Sequence, residues 1–248
     1  MSILPPTELP YISSETIDQL STLDALNFMI SDQYVALKAI ENEIKNIEVL
    51  VNFLYEHFSS RQKGRLIYSG AGTSGRIGVQ DGVELYPTFG WPKNKVDFMI
   101  AGGLSALTES IEGSEDDTKN LPDIINTMDI NQDDIVIGIT ASGNTPYTCK
   151  VLEILNHKNI KTVGITNNPK GKILDFSFIK IILNTNQEVV AGSTRLKAGT
   201  AQKICLNLIS TLLMTKLGFV KKGLMANLVP TNKKLVKRKE YILKKLQN

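Results

Sequence analysis

The chain has 248 residues, of which 42% are hydrophobic, 21% charged and 6% aromatic, the profile of an ordinary globular α/β protein with a sizeable core. These values exclude a disordered, collagen-like or coiled-coil chain. The formal net charge of +3 hides an asymmetry: from Lys216 onward ten Lys or Arg face the single acid Glu240, so a basic tail follows an acidic body.

Met1–Pro10 has neither a basic region nor an apolar stretch of the kind a secretory signal needs, and the expectation is a soluble, cytoplasmic protein. Leu37, Ile40, Ile44, Ile47, Val51 and Leu54 follow spacings of three and four, which predicts one long amphipathic helix over residues 33–58. Five short apolar runs come next: Leu66–Ser69, Val96–Ile100, Ile135–Thr140, Thr162–Thr166 and Ile179–Leu183. They are apolar throughout rather than alternating, which argues for strands covered on both faces. Helices are expected between and after them at 75–84, 115–127, 145–157, 198–217 and near 232–246.

Strands joined by helix-sized connections imply right-handed crossovers and a mostly parallel sheet. The fold class is therefore α/β, a doubly wound five-stranded α-β-α sandwich with helical extensions at both ends. The corresponding division is 1–60, an N-terminal helical extension; 61–220, the ligand-binding unit; and 221–248, the basic helical tail. The apolar stretch Ile204–Val220 is broken by Asn207, Ser210, Thr211, Thr215 and Lys216, so it is not a membrane span.

The first strand runs into Gly70-Ala-Gly-Thr-Ser-Gly75 and the third into Ala141-Ser-Gly-Asn-Thr-Pro146, each just ahead of a predicted helix. Glycines there bring backbone N–H groups and a helix N-terminus up to an anion. A dinucleotide fold would need an acidic residue ending the second strand, where the sequence is Phe98-Met-Ile-Ala-Gly-Gly103. A P-loop would need Gly-Lys-Ser/Thr. A phosphate monoester is the expected guest, held by the hydroxyls of Thr73, Ser74, Ser142 and Thr145 and by amides around Gly72, Gly143 and Asn144. The bland alternative is that these Ser and Thr only cap their helices.

Ser193, Thr194, Arg195 and Lys197 precede another predicted helix and could add contacts to the phosphate or a carbonyl oxygen. Glu84 sits among Val83, Leu85 and Tyr86, where desolvation would favour a neutral acid; its alternative is an ordinary exposed helix glutamate. Glu115 lies in Ser114-Glu-Asp-Asp117, which also reads as a capped helix start. Arg76 could brace the first loop, His157 meet a helix dipole, and Trp91 serve packing. Cys149 and Cys205 show neither a CxxC spacing nor a histidine partner, and with only His57 and His157 in the chain no metal site is suggested.

Taken in order, Arg65–Arg76, Glu84 ahead of Pro87–Gly90, Glu112–Asp117, Ala141–Pro146 and Gly192–Gln202 resemble the N-acetylmuramic acid 6-phosphate etherases of the sugar-isomerase (SIS) fold, from about Leu20 to Leu235. The resemblance implies a cytoplasmic enzyme of cell-wall sugar recycling. Its substrate is a phosphorylated amino sugar whose D-lactyl ether it cleaves, giving N-acetylglucosamine 6-phosphate and D-lactate. It implies no metal or organic cofactor, and a homodimer with active sites at or near the subunit interface. By the same resemblance Glu84 is the proton donor and Glu115 the second catalytic carboxylate, and Glu188 is a candidate additional acid/base group, since related phosphosugar isomerases have a glutamate in this vicinity. Gly82-Val83 stands where relatives usually carry Ala-Ser, and the tail after residue 220 is shorter than usual. Two rivals share the loops: a non-catalytic phosphosugar sensor and an aldose–ketose isomerase. The basic tail reads as a solvated helix face rather than a nucleic-acid surface, since it carries no aromatic beyond Tyr241.

Overall fold

A run such as Ile135-Val-Ile-Gly-Ile-Thr140 is stable as a strand only where helices cover both of its faces. The computed structural model, which describes residues 4–13, 15–61, 63–230 and 233–247, provides that cover. Strands β1 (Leu66–Gly70), β2 (Val96–Ile100), β3 (Ile135–Thr140), β4 (Lys161–Thr166) and β5 (Ile179–Ile182) form one sheet in the order β2-β1-β3-β4-β5. Every pairing is parallel. The chain leaves β1 for β2 on one side and returns to lay β3 on the other, so the carboxyl ends of β1 and β3 diverge at the topological switch point.

Helices α1 (Thr22–Ser60), α2 (Gly72–Phe89) and α5 (Lys197–Lys216) pack on one face with β1 and β3 through Leu50, Leu54, Tyr68, Ile137, Leu206 and Leu213. Helices α3 (Leu121–Thr127) and α4 (Pro146–His157) close the other face against Ile67, Val136, Leu152 and Leu155. The central strands β1 and β3 are buried at every residue and β4 at all but Lys161, which accounts for their continuous apolarity, whereas the edge strands β2 and β5 are only partly covered.

Two expected boundaries are corrected. Helix α1 starts at Thr22 rather than near residue 33, because Ser21 caps it by accepting a hydrogen bond from the Asp24 N–H at 3.2 Å. The helix expected over 115–127 begins only at Leu121. Residues 112–116 instead form turns, so Ser114 starts no helix for the acids beside it to complement.

After α5 a two-strand hairpin, Val220–Lys221 (β6) and Leu224–Met225 (β7), turns through Lys222 and Gly223, both at positive φ. The last helix, α6 (Lys233–Gln247), buries Ile242 and exposes Lys233, Lys234, Lys237, Arg238, Lys244 and Lys245, a solvated basic face. Residue 232 of the expected final helix lies outside the described residues. Among the described residues no helix is long and apolar enough to cross a membrane.

Candidate active site

The first turn of an α-helix leaves backbone N–H groups without intrahelical partners and carries the positive end of the helix dipole. Helices α2 and α4 both begin at the carboxyl edge of the sheet, behind the adjacent strands β1 and β3. Neither has a side-chain cap: the cap of α2 is Ala71 and that of α4 is Thr145, whose hydroxyl meets Thr140 Oγ1 at 2.8 Å instead. Among the described residues the hydroxyls of Thr73 (half-buried) and Ser74 (buried) have no hydrogen-bond partner. The helix-cap alternative is therefore set aside for both: two uncapped helix N-termini lie at the switch point, the first with the free hydroxyls of Thr73 and Ser74, the second with the Ser142 and Thr145 hydroxyls engaged inside their own loop.

The second loop is held from behind. Ser142 Oγ accepts from the Asn144 N–H at 3.1 Å, and Asn144 Oδ1 accepts from the Lys172 N–H at 2.9 Å, which makes Asn144 a brace. Gly143 has φ +74°, and a Cβ there would lie 2.4 Å from Gly171 Cα. Gly72, at φ +52°, has nothing within 4 Å of the same atom. Gly143→Ala is therefore expected to cost more than the roughly 1–2 kcal/mol that left-handed strain alone imposes on Gly72→Ala. Urea unfolding of the two variants checks this; equal losses would show that the Gly143–Gly171 contact relaxes freely.

Helix α5 differs. Glu188, fully buried, accepts from the N–H groups of Lys197 (3.2 Å) and Ala198 (2.9 Å), so the start of α5 already holds a carboxyl group. Burial pushes the Glu188 pKa up, against the pull of these two hydrogen bonds. Both oxygens are spent on backbone, which makes Glu188 a capping group with no exposed atom to offer a substrate. Lys197 is corrected as well: its ammonium is buried and paired with Asp32 Oδ1 at 2.6 Å, tying α5 to α1 rather than reaching the loops. Ser193 and Arg195 remain near the site, because Gly199 packs against Thr73 and brings their turn beside the first loop. The Arg195 guanidinium is exposed and has no partner among the described residues.

Arg76 donates to Ala106 O (2.8 Å) and Glu109 O (2.7 Å), clamping the segment after β2 onto α2. Farther along that segment the Tyr147 N–H donates to Glu115 O at 2.9 Å, fixing the Glu115 backbone beside the first turn of α4. A cavity of about 480 Å³ opens beneath it at the edge of β2, lined mainly by apolar groups including Phe98, Ile100, Leu107 and Tyr147.

Glu84 stands apart. It is exposed on the outer side of α2, outside the apolar company expected for it. Eleven residues separate it from Thr73, or about 17 Å along the helix axis. The neighbouring Gly82 has a local cause: a Cβ there would lie 2.6 Å from Phe98, whose ring stacks on Tyr68. Trp91 is a packing residue, set edge-on against Phe58 and Phe219. Among the described residues no group of three or more His, Cys, Asp or Glu could hold a metal ion.

Comparisons with known proteins agree with this architecture. Residues 123–212 match the family model described as SIS domain, and residues 48–156 that of the glucokinase regulatory protein N-terminal SIS domain. Among solved structures, a phosphoheptose isomerase from Francisella tularensis superposes with TM-score 0.60 at 16% identity, covering 79% of this chain and 100% of that one. An E. coli CFT073 protein in complex with A5P gives 0.59 at 16% identity, with 82% and 97% covered. These likenesses establish the fold. The N-acetylmuramic acid 6-phosphate etherase of Bacillus mycoides (strain KBAB4) is 42% identical over 227 residues, 92% of this chain and 76% of the relative. That of Bacillus anthracis (strain A0248) is 41% identical over the same span. With identity of this order over 92% of its length, the chain belongs to the N-acetylmuramic acid 6-phosphate etherase family.

Proposed function

We propose that the switch-point crevice binds the phosphate of N-acetylmuramic acid 6-phosphate and that the enzyme cleaves its lactyl ether with one carboxylate from each of two subunits. The observation that carries this reading is the pair of uncapped helix N-termini, α2 and α4, with the Thr73 and Ser74 hydroxyls unspent. A phosphate there meets N–H donors, hydroxyls and two dipoles at once. Arg195 is the nearby mobile-length cation that can complete its charge.

In the ring-opened sugar the C2 proton is acidified by the C1 aldehyde, and the lactyl oxygen on C3 is β to that carbonyl. A base removes the C2 proton, an acid protonates the ether oxygen, and the C3–O bond breaks to release D-lactate and an unsaturated aldehyde. Water then adds at C3 and a proton returns to C2, giving N-acetylglucosamine 6-phosphate. Glu115, held beside α4, serves as the base.

Glu84 is the acid, supplied by the partner subunit. Six covalent bonds join the phosphorus to the ether oxygen, a reach of about 8 Å when extended. A carboxyl group about 17 Å along α2 from Thr73 lies beyond that reach even when its side chain leans toward the helix start. A homodimer in the cytoplasm is the corresponding assembly. Leu23, Leu26, Ile30, Tyr34 and Leu37 form an apolar stripe on α1, 45–67% exposed, that a second copy would bury. Two free buried thiols, Cys149 and Cys205, suit a reducing compartment. Residues 61–220 act as the phosphosugar-binding unit, with 1–60 and 221–248 as its helical extensions.

Incubation with N-acetylmuramic acid 6-phosphate is expected to release D-lactate and N-acetylglucosamine 6-phosphate in equal amounts. Binding without release would make the chain a sensor, and a ketose product with the ether intact would make it an isomerase.

A further inference from the structure

On the outer side of α2, Glu84 shares a cleft of about 260 Å³ with α5, lined by Ile77, Gln80, Asp81, Lys203 and Asn207. Its floor is fixed. Asp81 is buried and accepts from Tyr68 Oη (2.8 Å), Asn207 Nδ2 (2.7 Å) and Ser210 Oγ (3.0 Å), so three neutral donors satisfy it without a cation. At the mouth, Lys203 is exposed and has neither a hydrogen bond nor an ion pair among the described residues, and the same is true of Glu84. The cleft therefore presents one uncommitted carboxyl group and one uncommitted ammonium side by side.

We infer that Lys203 binds the carboxylate of the lactyl group and sets the enzyme's preference for an acidic ether substituent. The inference rests on Glu84 being the proton donor. The donor has to reach the ether oxygen, and the carboxylate carbon of the departing lactate is two bonds from that oxygen. Whatever surrounds Glu84 during the reaction thus also meets the carboxylate. Carrying an anion into a cleft that already holds Asp81 and Glu84 costs free energy unless a cation receives it, and Lys203 is the lysine or arginine lining this cleft. Its long stem and three freely rotating donors suit a carboxylate on a flexible ether arm.

The test compares kcat/KM for N-acetylmuramic acid 6-phosphate and for the analogue whose lactyl carboxylate is a primary amide. One charge-assisted contact predicts that the wild-type enzyme prefers the acid by about 10- to 100-fold. Lys203→Met is expected to bring that ratio to within about 3-fold of unity, while Lys203→Arg keeps most of it. A merely structural role would lower both substrates together and leave the ratio unchanged. Wild-type lactate release with an undiminished ratio in Lys203→Met, or no ratio in the wild type, overturns the Lys203 assignment alone. Release from neither compound by the wild-type enzyme overturns the etherase reading and this inference with it.

Discussion

Glu84→Gln and Thr73→Asp chains, each inactive by itself, are expected to recover about one quarter of wild-type lactate release when unfolded together in equal amounts and refolded. Thr73→Asp places a negative charge in the first turn of α2, where the dipole tolerates it but a phosphate is repelled. Glu84→Gln removes the acid and leaves the loops intact. If each site joins the loops of one subunit to Glu84 of the other, a mixed dimer holds one site with both defects and one with neither. Random pairing makes half the dimers mixed, each with one working site of two, hence about a quarter of full activity. If Glu84 served the loops of its own chain, every site in the mixed dimer would carry one defect and nothing would be recovered. Pairing Glu115→Gln with Thr73→Asp supplies the control. Those two residues belong to one chain's site, and no recovery is expected. Recovery in that control, or its absence in the first mixture, would refute the shared site.

The sheet was legible because its central strands carry a signal that nothing else in the chain imitates. Ile135–Thr140 is buried at every residue, and the matching sequence is apolar at nearly every position. The start of α1 was harder to read, since Leu23, Leu26 and Ile30 face outward and break the pattern of a one-sided amphipathic helix. The signal present there was Ser21-x-x-Asp24, a cap written in the sequence. The Ser114–Asp117 segment misled in the opposite sense. It spells a cap, but Gly113 takes a positive φ and the Tyr147 N–H holds the chain in a turn. Local spelling loses to a contact made 32 residues away.

The two phosphate loops were readable as a pair because both follow a buried strand and precede a helix. The role of Lys197 was not, since its partner Asp32 lies 165 residues earlier in the chain and no local pattern joins them. Glu188 was hidden for a related reason: a glutamate that caps a distant helix looks, in sequence, like any acid near a loop. The remoteness of Glu84 could have been found by counting. Eleven helical residues after Thr73 already put it far from a phosphate at the helix start.

Glu115→Gln is expected to lower lactate release by about 10²- to 10⁴-fold, the usual contribution of a general base. It should also abolish exchange of the C2 hydrogen with deuterated solvent. Exchange needs only the open-chain sugar and the base, so it can be followed with the product N-acetylglucosamine 6-phosphate, which has no ether to break. Glu84→Gln should lose release to a similar extent while keeping C2 exchange on that product, because no oxygen there requires a proton from an acid. The assignment of roles depends on this split between two measurements on one substrate series. Gln is isosteric with Glu, and Glu115 is exposed in a turn, so a folded variant is expected. Exchange retained in Glu115→Gln and lost in Glu84→Gln would interchange the acid and the base. Exchange retained in both would remove the two carboxylates from proton abstraction and require the base to be sought among the other groups at the carboxyl edge of β1 and β3.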